Sequence, residues 1–431
     1  MFDSGSLSVN SKGYLTIGGA DTATLAAQYG TPLYVMDEDL ILENCRRFRL
    51  AMQTCYAESG VAYACKAFCC KKICRIADQE GLYLDVVSAG ELYTALAAGF
   101  PTGRIILHGS NKSAQELSMA IENGVGRIVA DHMTELLTIN RLAAEAQKTV
   151  DVLLRIKPGV DVHTHHAIIT GNAASKFGFS LEHDEALQAV QTALDSPNIH
   201  LIGLHCHIGS QITEPEPFVL AAEVMAGFLG RIKQVTGLEL QELNLGGGFA
   251  IRYTEEDVPD CSLDCIRRTA NTLFASCARN GIRVPRVFIE PGRAIVGPAG
   301  LTLYTVGAVK RVSDTLTYVS VDGGMADNPR YALYQSRYTA VAAGRMGEEP
   351  DSVVTIAGRC CESGDIIGEH LCLPDMHPGE LLAVLCTGAY NYSMASNYNR
   401  LPKPAVIMVS GGKPRVAVQR QSLDDLINGD A

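Results

Sequence analysis

The chain has 431 residues, of which 47% are apolar, and carries a formal net charge of −11. That length allows two or three domains with a large core, and no segment is long and apolar enough to span a bilayer. The acidic balance and the lack of any extended basic cluster argue against nucleic acid or an anionic membrane surface as partner.

The start Met1-Phe2-Asp3-Ser4-Gly5 shows neither a basic nor an apolar leader region, so a cytoplasmic protein is expected. Fourteen cysteines in such a compartment read mostly as reduced core residues, several of them in apolar runs (Cys206, Cys372, Cys386). The adjacent pairs Cys69-Cys70 and Cys360-Cys361 do not have zinc-ligand spacing.

In chain order, a short strand near 14–17 and an extended run at 32–36 precede a helical stretch near 38–53. Eight short apolar runs follow, at 61–66, 82–87, 104–108, 126–130, 150–156, 199–207, 240–245 and 286–290. At or just past their ends stand Lys66, Ser88, His108, Asp131, Arg155, His207, the triple glycine Gly246-Gly247-Gly248, and Glu290 with Arg293. The first seven runs each lead into a helix-like stretch. This alternation predicts an α/β fold built on a parallel (β/α)8 TIM barrel, whose reactive side chains gather at the C-terminal ends of the strands.

After Gly292 the pattern turns to β. Runs at 301–312 and 316–322 form a predicted hairpin, strands follow at 353–357 and 381–386, and a last hairpin joins 404–409 to 415–420. The expected domains are therefore 1–36, an N-terminal segment packing with the β-domain; 37–295, the barrel; and 296–431, a C-terminal β-sandwich or barrel-like domain. The N-terminal strand near 14–17 is expected to join that β-domain, and the barrel mouth to face the junction.

Several constellations carry chemistry. Lys66 closes an apolar strand, where partial desolvation favours a neutral amine and suits a Schiff-base nucleophile; a lysine snorkelling at a strand end fits the same spacing. Gly246, Gly247 and Gly248 follow a strand directly, so their backbone can approach an anion such as phosphate, and the Ser210 hydroxyl could join it; a flexible turn is the alternative. Glu290 closes the eighth strand and could hold a pyridine nitrogen protonated, or instead pair with Arg155 or Arg293. His207 could stack on a flat cofactor, ligate a metal or fill the barrel, and His205 reads as structural. The trio His163, His165 and His166 lacks matching carboxylates or thiols, so no metal is expected. In the β-region, Cys361-Glu362-Ser363-Gly364-Asp365, Asp322-Gly323-Gly324-Met325 with Arg330 and Tyr334, and Gly388-Ala389-Tyr390 form three polar loops.

Taken in order, Tyr63-Ala64-Cys65-Lys66-Ala67, Asp85-Val86-Val87-Ser88-Ala89-Gly90-Glu91-Leu92, His207-Ile208-Gly209-Ser210-Gln211, the triple glycine, Glu290-Pro291-Gly292-Arg293, Cys361-Glu362-Ser363-Gly364-Asp365 and Gly388-Ala389-Tyr390 resemble a known family. It is the alanine-racemase-type (fold type III) pyridoxal-phosphate decarboxylases, and within them the branch acting on diaminopimelate. The likeness runs from about residue 30 to about residue 400, and the Cys-Glu-Ser-Gly-Asp motif points to that branch. Ser110, in His108-Gly109-Ser110-Asn111-Lys112, stands where the family has a second asparagine, and Cys360 precedes the thiol of interest.

The resemblance implies pyridoxal 5'-phosphate as cofactor, bound by the barrel, and a homodimer with shared active sites. It implies Lys66 as the Schiff-base lysine and His207 as the residue stacked on the ring. Asp85, Gly246, Gly247, Gly248, Ser210, Gly292, Arg293 and Tyr390 are further cofactor residues, and Glu290 is the partner of the pyridine nitrogen. For the substrate meso-diaminopimelate it implies Arg293, Arg330 and Tyr334 around the distal carboxylate, Glu362 on the distal ammonium, Tyr390 as a further substrate-binding residue, and Cys361 as proton donor from the partner subunit. The implied reaction is decarboxylation to L-lysine, the last step of lysine biosynthesis. Competing readings are a sister decarboxylase of D-lysine, D-ornithine or carboxynorspermidine, an amino-acid racemase, a non-catalytic cofactor carrier, and a Schiff-base aldolase.

Overall fold

A computed structural model describes residues 5–160, 176–258 and 260–431, so the His163, His165 and His166 trio lies outside the described residues. Eight parallel strands close on themselves in chain order: β1 Ser59–Ala64, β2 Tyr83–Val86, β3 Ile105–Leu107, β4 Arg127–Ala130, β5 Val150–Lys157, β6 Ile199–Cys206, β7 Glu242–Asn244 and β8 Arg286–Ile289. The last pairs with the first through Val287 opposite Ser59 and Ile289 opposite Val61, which completes the barrel. Strands covered on both faces read as continuous apolar runs, and that is why the eight segments stood out in the sequence.

The interior is layered. Ala62, Ile106, Val129, Leu153, Ile202 and Phe288 form a buried belt, with Tyr83 packed against it. Gly60 leaves room for the Phe288 ring, whose nearest atom would lie 2.2 Å from a Cβ placed at that position. At the N-terminal end of the strands, Arg127 forms a two-pronged bond to Glu242 (Nε–Oε2 2.6 Å, Nη2–Oε1 2.5 Å) and lies over the Tyr83 and Phe288 rings. That end is filled by packing and a paired charge. The C-terminal end carries the chemistry.

Helix starts explain some of the residues at strand ends. Ser88 is the N-cap of helix Ala89–Ala97, accepting the Glu91 N–H, so its place at a strand end is accounted for by capping. Ser113 and Glu116 make a reciprocal capping box at helix Ala114–Glu122. Lys112, in the loop after β3, is buried with Glu135 (2.7 Å) and donates to the carbonyls of Gly109 and Val129.

Two compact units emerge. One comprises Cys45–Ala250 and Asp260–Gly292, the other Met1–Asn44, Ile251–Pro259 and Arg293–Ala431. These cuts differ from boundaries at 36/37 and 295/296: residues 37–44, 251–259 and 293–295 group with the β-rich unit. In that unit, strand Leu33–Asp37 lies between Gly300–Ser313 (antiparallel) and Ala405–Ser410 (parallel), inside a nine-stranded sheet. The two expected hairpins form, as Gly300–Ser313 with Leu316–Val321 and Ala405–Ser410 with Lys413–Val418. Strand Leu15–Ile17 pairs with Leu7–Val9 and Ala20–Asp21 in a separate three-stranded sheet of the same unit, not in the large sheet. Cys372 is exposed on strand Ile366–Leu373, against the expectation of a core residue: Cys206 and Cys386 are buried, whereas Cys372 faces outward beside half-buried Leu371 and buried Leu373. Among the described residues no helix is long and apolar enough to cross a membrane.

Candidate active site

The C-terminal ends of β2, β3, β6, β7 and β8 bring Asp85, His108, His205, Asn244 and Glu290 together, all buried. Glu290 is the hub. Its Oε1 lies 2.7 Å from His108 Nε2 and accepts from Asn244 Nδ2 at 2.6 Å, while Oε2 lies 3.3 Å from His205 Nε2. Burial alone would push this carboxyl up, but the two imidazoles beside it win and hold it well below the usual carboxylate range. His108 is raised despite burial because Glu290 and Asp85 face it. His205, whose burial outweighs Glu290, falls to about 4.

Glu290 therefore pairs with histidines, not with Arg155 or Arg293 as its spacing also allowed. Arg155 turns to Asp131 (3.6 Å) and lies over the Phe177 ring at 4.3 Å. Asp85 stands 3.9 Å from His108, its carboxyl raised by burial, and its Oδ1 has no hydrogen-bond partner among the described residues.

Lys66 lies in the 3-10 turn Cys65–Ala67 that ends β1. Its side chain is exposed, not partly desolvated as the apolar strand predicted, because the turn lifts it clear of the barrel wall. Its charge acts on Asp85, Glu91 and His207, which places it with the Glu290 group. His207, half-buried one residue past β6, is held well below the usual imidazole range by burial and then by Lys66. Its Nδ1 accepts the Gly247 N–H at 3.2 Å, which leaves the proton of the neutral ring on Nε2.

The glycine loop is tighter than its sequence suggests. Gly246 donates to Asn244 Oδ1 at 2.9 Å and Gly247 to His207, so these two amides serve the site's own framework; the Gly248 amide has no partner among the described residues. Gly246 and Gly248 have φ of 71° and 121°, open only to glycine without strain. Ser210 is exposed in the loop after β6. Gly292 is used for packing: a Cβ there would sit 2.9 Å from Ala64 Cβ at the end of β1.

In the β-rich unit a second group forms. Arg293, buried, hydrogen-bonds the Tyr253 hydroxyl and lies over the Tyr390 ring at 4.6 Å. Arg330 lies over the same ring at 5.3 Å and over Tyr334 at 5.1 Å. Tyr390 itself holds φ of 63°, an uncommon conformation for a bulky side chain. Two guanidiniums on one phenol ring make a cationic pocket suited to a carboxylate. Cys361 and Glu362 are exposed, on a loop pinned by buried Asp365, which accepts the amides of Met325 (2.5 Å) and Cys360 (2.6 Å). The Cys361 amide donates to Asn399 Oδ1 at 2.7 Å.

Reasoning from the sequence missed the roles of His205 and Asn244. Both occupy the last turn of inward-facing register, His205 two residues before His207 and Asn244 two before Gly246, and that period of two was the available signal.

Comparisons with known proteins bear on these groups. The pyridoxal-binding domain of pyridoxal-dependent decarboxylases matches residues 39–297. A diaminopimelate decarboxylase of Bacillus subtilis is 49% identical over 430 residues, spanning 100% of this chain and 98% of that protein. One of Bacillus methanolicus is 47% identical, spanning 98% of each. Among solved structures, a diaminopimelate decarboxylase from M. jannaschii in complex with L-lysine superposes with a TM-score of 0.92 at 33% identity, over 100% of this chain and 99% of that one.

Proposed function

The chain belongs to the diaminopimelate decarboxylases, a branch of the pyridoxal-dependent decarboxylases, and from that premise we propose that it converts meso-2,6-diaminopimelate to L-lysine and CO2. The cofactor is pyridoxal 5'-phosphate. The barrel residues fit it: among the described residues a buried carboxylate oxygen of Asp85 and the Gly248 amide have no hydrogen-bond partner, and Glu290 at the end of β8 is ionised.

When bound, the cofactor supplies a ring that accepts electrons from Cα as CO2 leaves. Glu290, kept ionised by His108 and His205, would hold a proton at the ring nitrogen. Lys66 would offer the amine that anchors the aldehyde. His207, a neutral imidazole, would cover a ring face without adding charge. Gly248 with its neighbours Gly246 and Gly247, together with Ser210 and Tyr390, would hold the phosphate, Gly248 through its amide. Arg293, Arg330 and Tyr334 take the distal carboxylate and Glu362 the distal ammonium, a division that a zwitterionic end group requires. We assign Cys361 as the donor that returns a proton to Cα, from the partner subunit of a homodimer.

The observation that carries this reading is Glu290 clamped by two histidines and an asparagine. An acidic partner of this kind favours the stronger electron sink that decarboxylation needs, where a racemase is served by arginine. The test measures CO2 and lysine formation from meso-diaminopimelate beside D-lysine, D-ornithine and carboxynorspermidine. Turnover confined to meso-diaminopimelate is expected. An inert meso-diaminopimelate with turnover of another amine would overturn the substrate while leaving the chemistry.

A further inference from the structure

The turn that carries Lys66 also carries sulfur. Cys65 is in the 3-10 turn, Cys69 lies just beyond it, and Cys74 is in the helix Lys71–Gln79. Their Sγ atoms all lie within 4.8 Å of one another, and none is in a disulfide. Cys65 and Cys74 are buried, while Cys69 is half-buried and gives solvent an approach. Sulfurs bound at about 2.3 Å around a tetrahedral ion stand about 3.8 Å apart, so the trio needs only small rotamer changes to close on one.

We propose that Cys65, Cys69 and Cys74 form a binding site for one soft divalent metal ion of the zinc and cadmium class, with three thiolate ligands and an open fourth position for water. Binding replaces three S–H bonds by three metal–sulfur bonds and releases three protons to solvent; nothing is oxidised or reduced. Three thiolates around a divalent ion leave one net negative charge. Cys69 lies two residues before the nine-residue helix Lys71–Gln79 and Cys74 is its fourth residue, so the sulfurs stand near its N-terminal end, where the helix dipole favours negative charge and Lys71 and Lys72 lie in the first turn. The spacing, three residues and then four between cysteines, differs from zinc-finger spacing and hides the site in the sequence. Lys66 sits between two of the ligands, so an ion held there fixes the backbone on both sides of it.

The test titrates Cd2+ into the reduced, cofactor-loaded protein and follows the ultraviolet sulfur-to-cadmium charge-transfer absorption, a readout separate from activity. Saturation at one ion per chain is expected, with loss of the absorption in Cys69→Ser and in Cys74→Ser. It should be kept in Cys261→Ser, which breaks the nearest rival pair, whose sulfurs lie 3.4 Å apart. X-ray absorption of the zinc-loaded wild-type protein should show three sulfur neighbours, and needs no variant to fold. Absorption absent in the wild type, kept in Cys69→Ser or lost in Cys261→Ser would overturn the site, as would zinc neighbours that are mainly nitrogen and oxygen.

Discussion

Gly247→Ala tests how tightly the glycine loop is locked to the acid at the end of β8. A Cβ at 247 would stand 2.2 Å from the Glu290 carbonyl oxygen, where ordinary contact begins beyond 3 Å. Relief needs a shift of about 1 Å in backbone that has little freedom, since the Glu290 N–H donates to Gly246 O at 2.8 Å and Gly247 N–H to His207. Overpacking of this kind costs about 1–3 kcal/mol of stability. A displacement of about 1 Å at reacting groups lowers turnover on the order of 10²-fold. Gly227→Ala is the control: it lies in helix Glu216–Thr236 with nothing within 4 Å of a new Cβ, and should gain about 0.5–1 kcal/mol. Denaturant unfolding and CO2 release measure both. A Gly247→Ala protein with wild-type stability and turnover would show that the loop is not locked to Glu290.

Other outcomes follow from the same geometry. His205 is buried neutral with a value lowered from 6.5 to about 4, so between those two pH values the unfolded chain binds a proton that the folded one refuses, and stability falls as pH falls. The full effect is about 3 kcal/mol, and pH-dependent melting of His205→Gln should show a shallower acid slope than wild type. An unchanged slope would remove His205 as its source. Arg330→Gln should raise KM for meso-diaminopimelate about 10- to 100-fold with a smaller change in kcat, because a charged hydrogen-bond partner of the substrate is lost; a fall in kcat alone would contradict this. Cys361→Ser should keep the bound-cofactor spectrum but lose about 10²-fold or more in kcat. Mixing it with Lys66→Ala should restore part of the activity if subunits share sites, and no restoration would argue that each chain works alone.

Much of the barrel was legible because strands buried on both faces write themselves as apolar runs, and the residues at their ends were visible by position. The anchors were less so. Ser88 looked reactive and is a helix cap, since a serine after a strand is also the first residue of a helix. Lys66 read as partly desolvated from its apolar neighbours, but it lies in a 3-10 turn at Cys65–Ala67 and is exposed, and local turn geometry is not written in hydropathy. The amides of Gly246 and Gly247 looked available to phosphate; their use by Asn244 and His207 depends on residues distant in the chain. The pairing of Arg293 and Arg330 over Tyr390 joins segments about forty to a hundred positions apart, which no local pattern reports.

The chemistry proposed for the barrel rests on the amine of Lys66 carrying the cofactor. Borohydride reduction of the purified, cofactor-loaded protein, followed by peptide mass mapping, is the test. The expected result is one pyridoxyl mass on the peptide bearing Lys66 and loss of labelling in Lys66→Ala. A label on Lys112 or another lysine, or none at all, would contradict it.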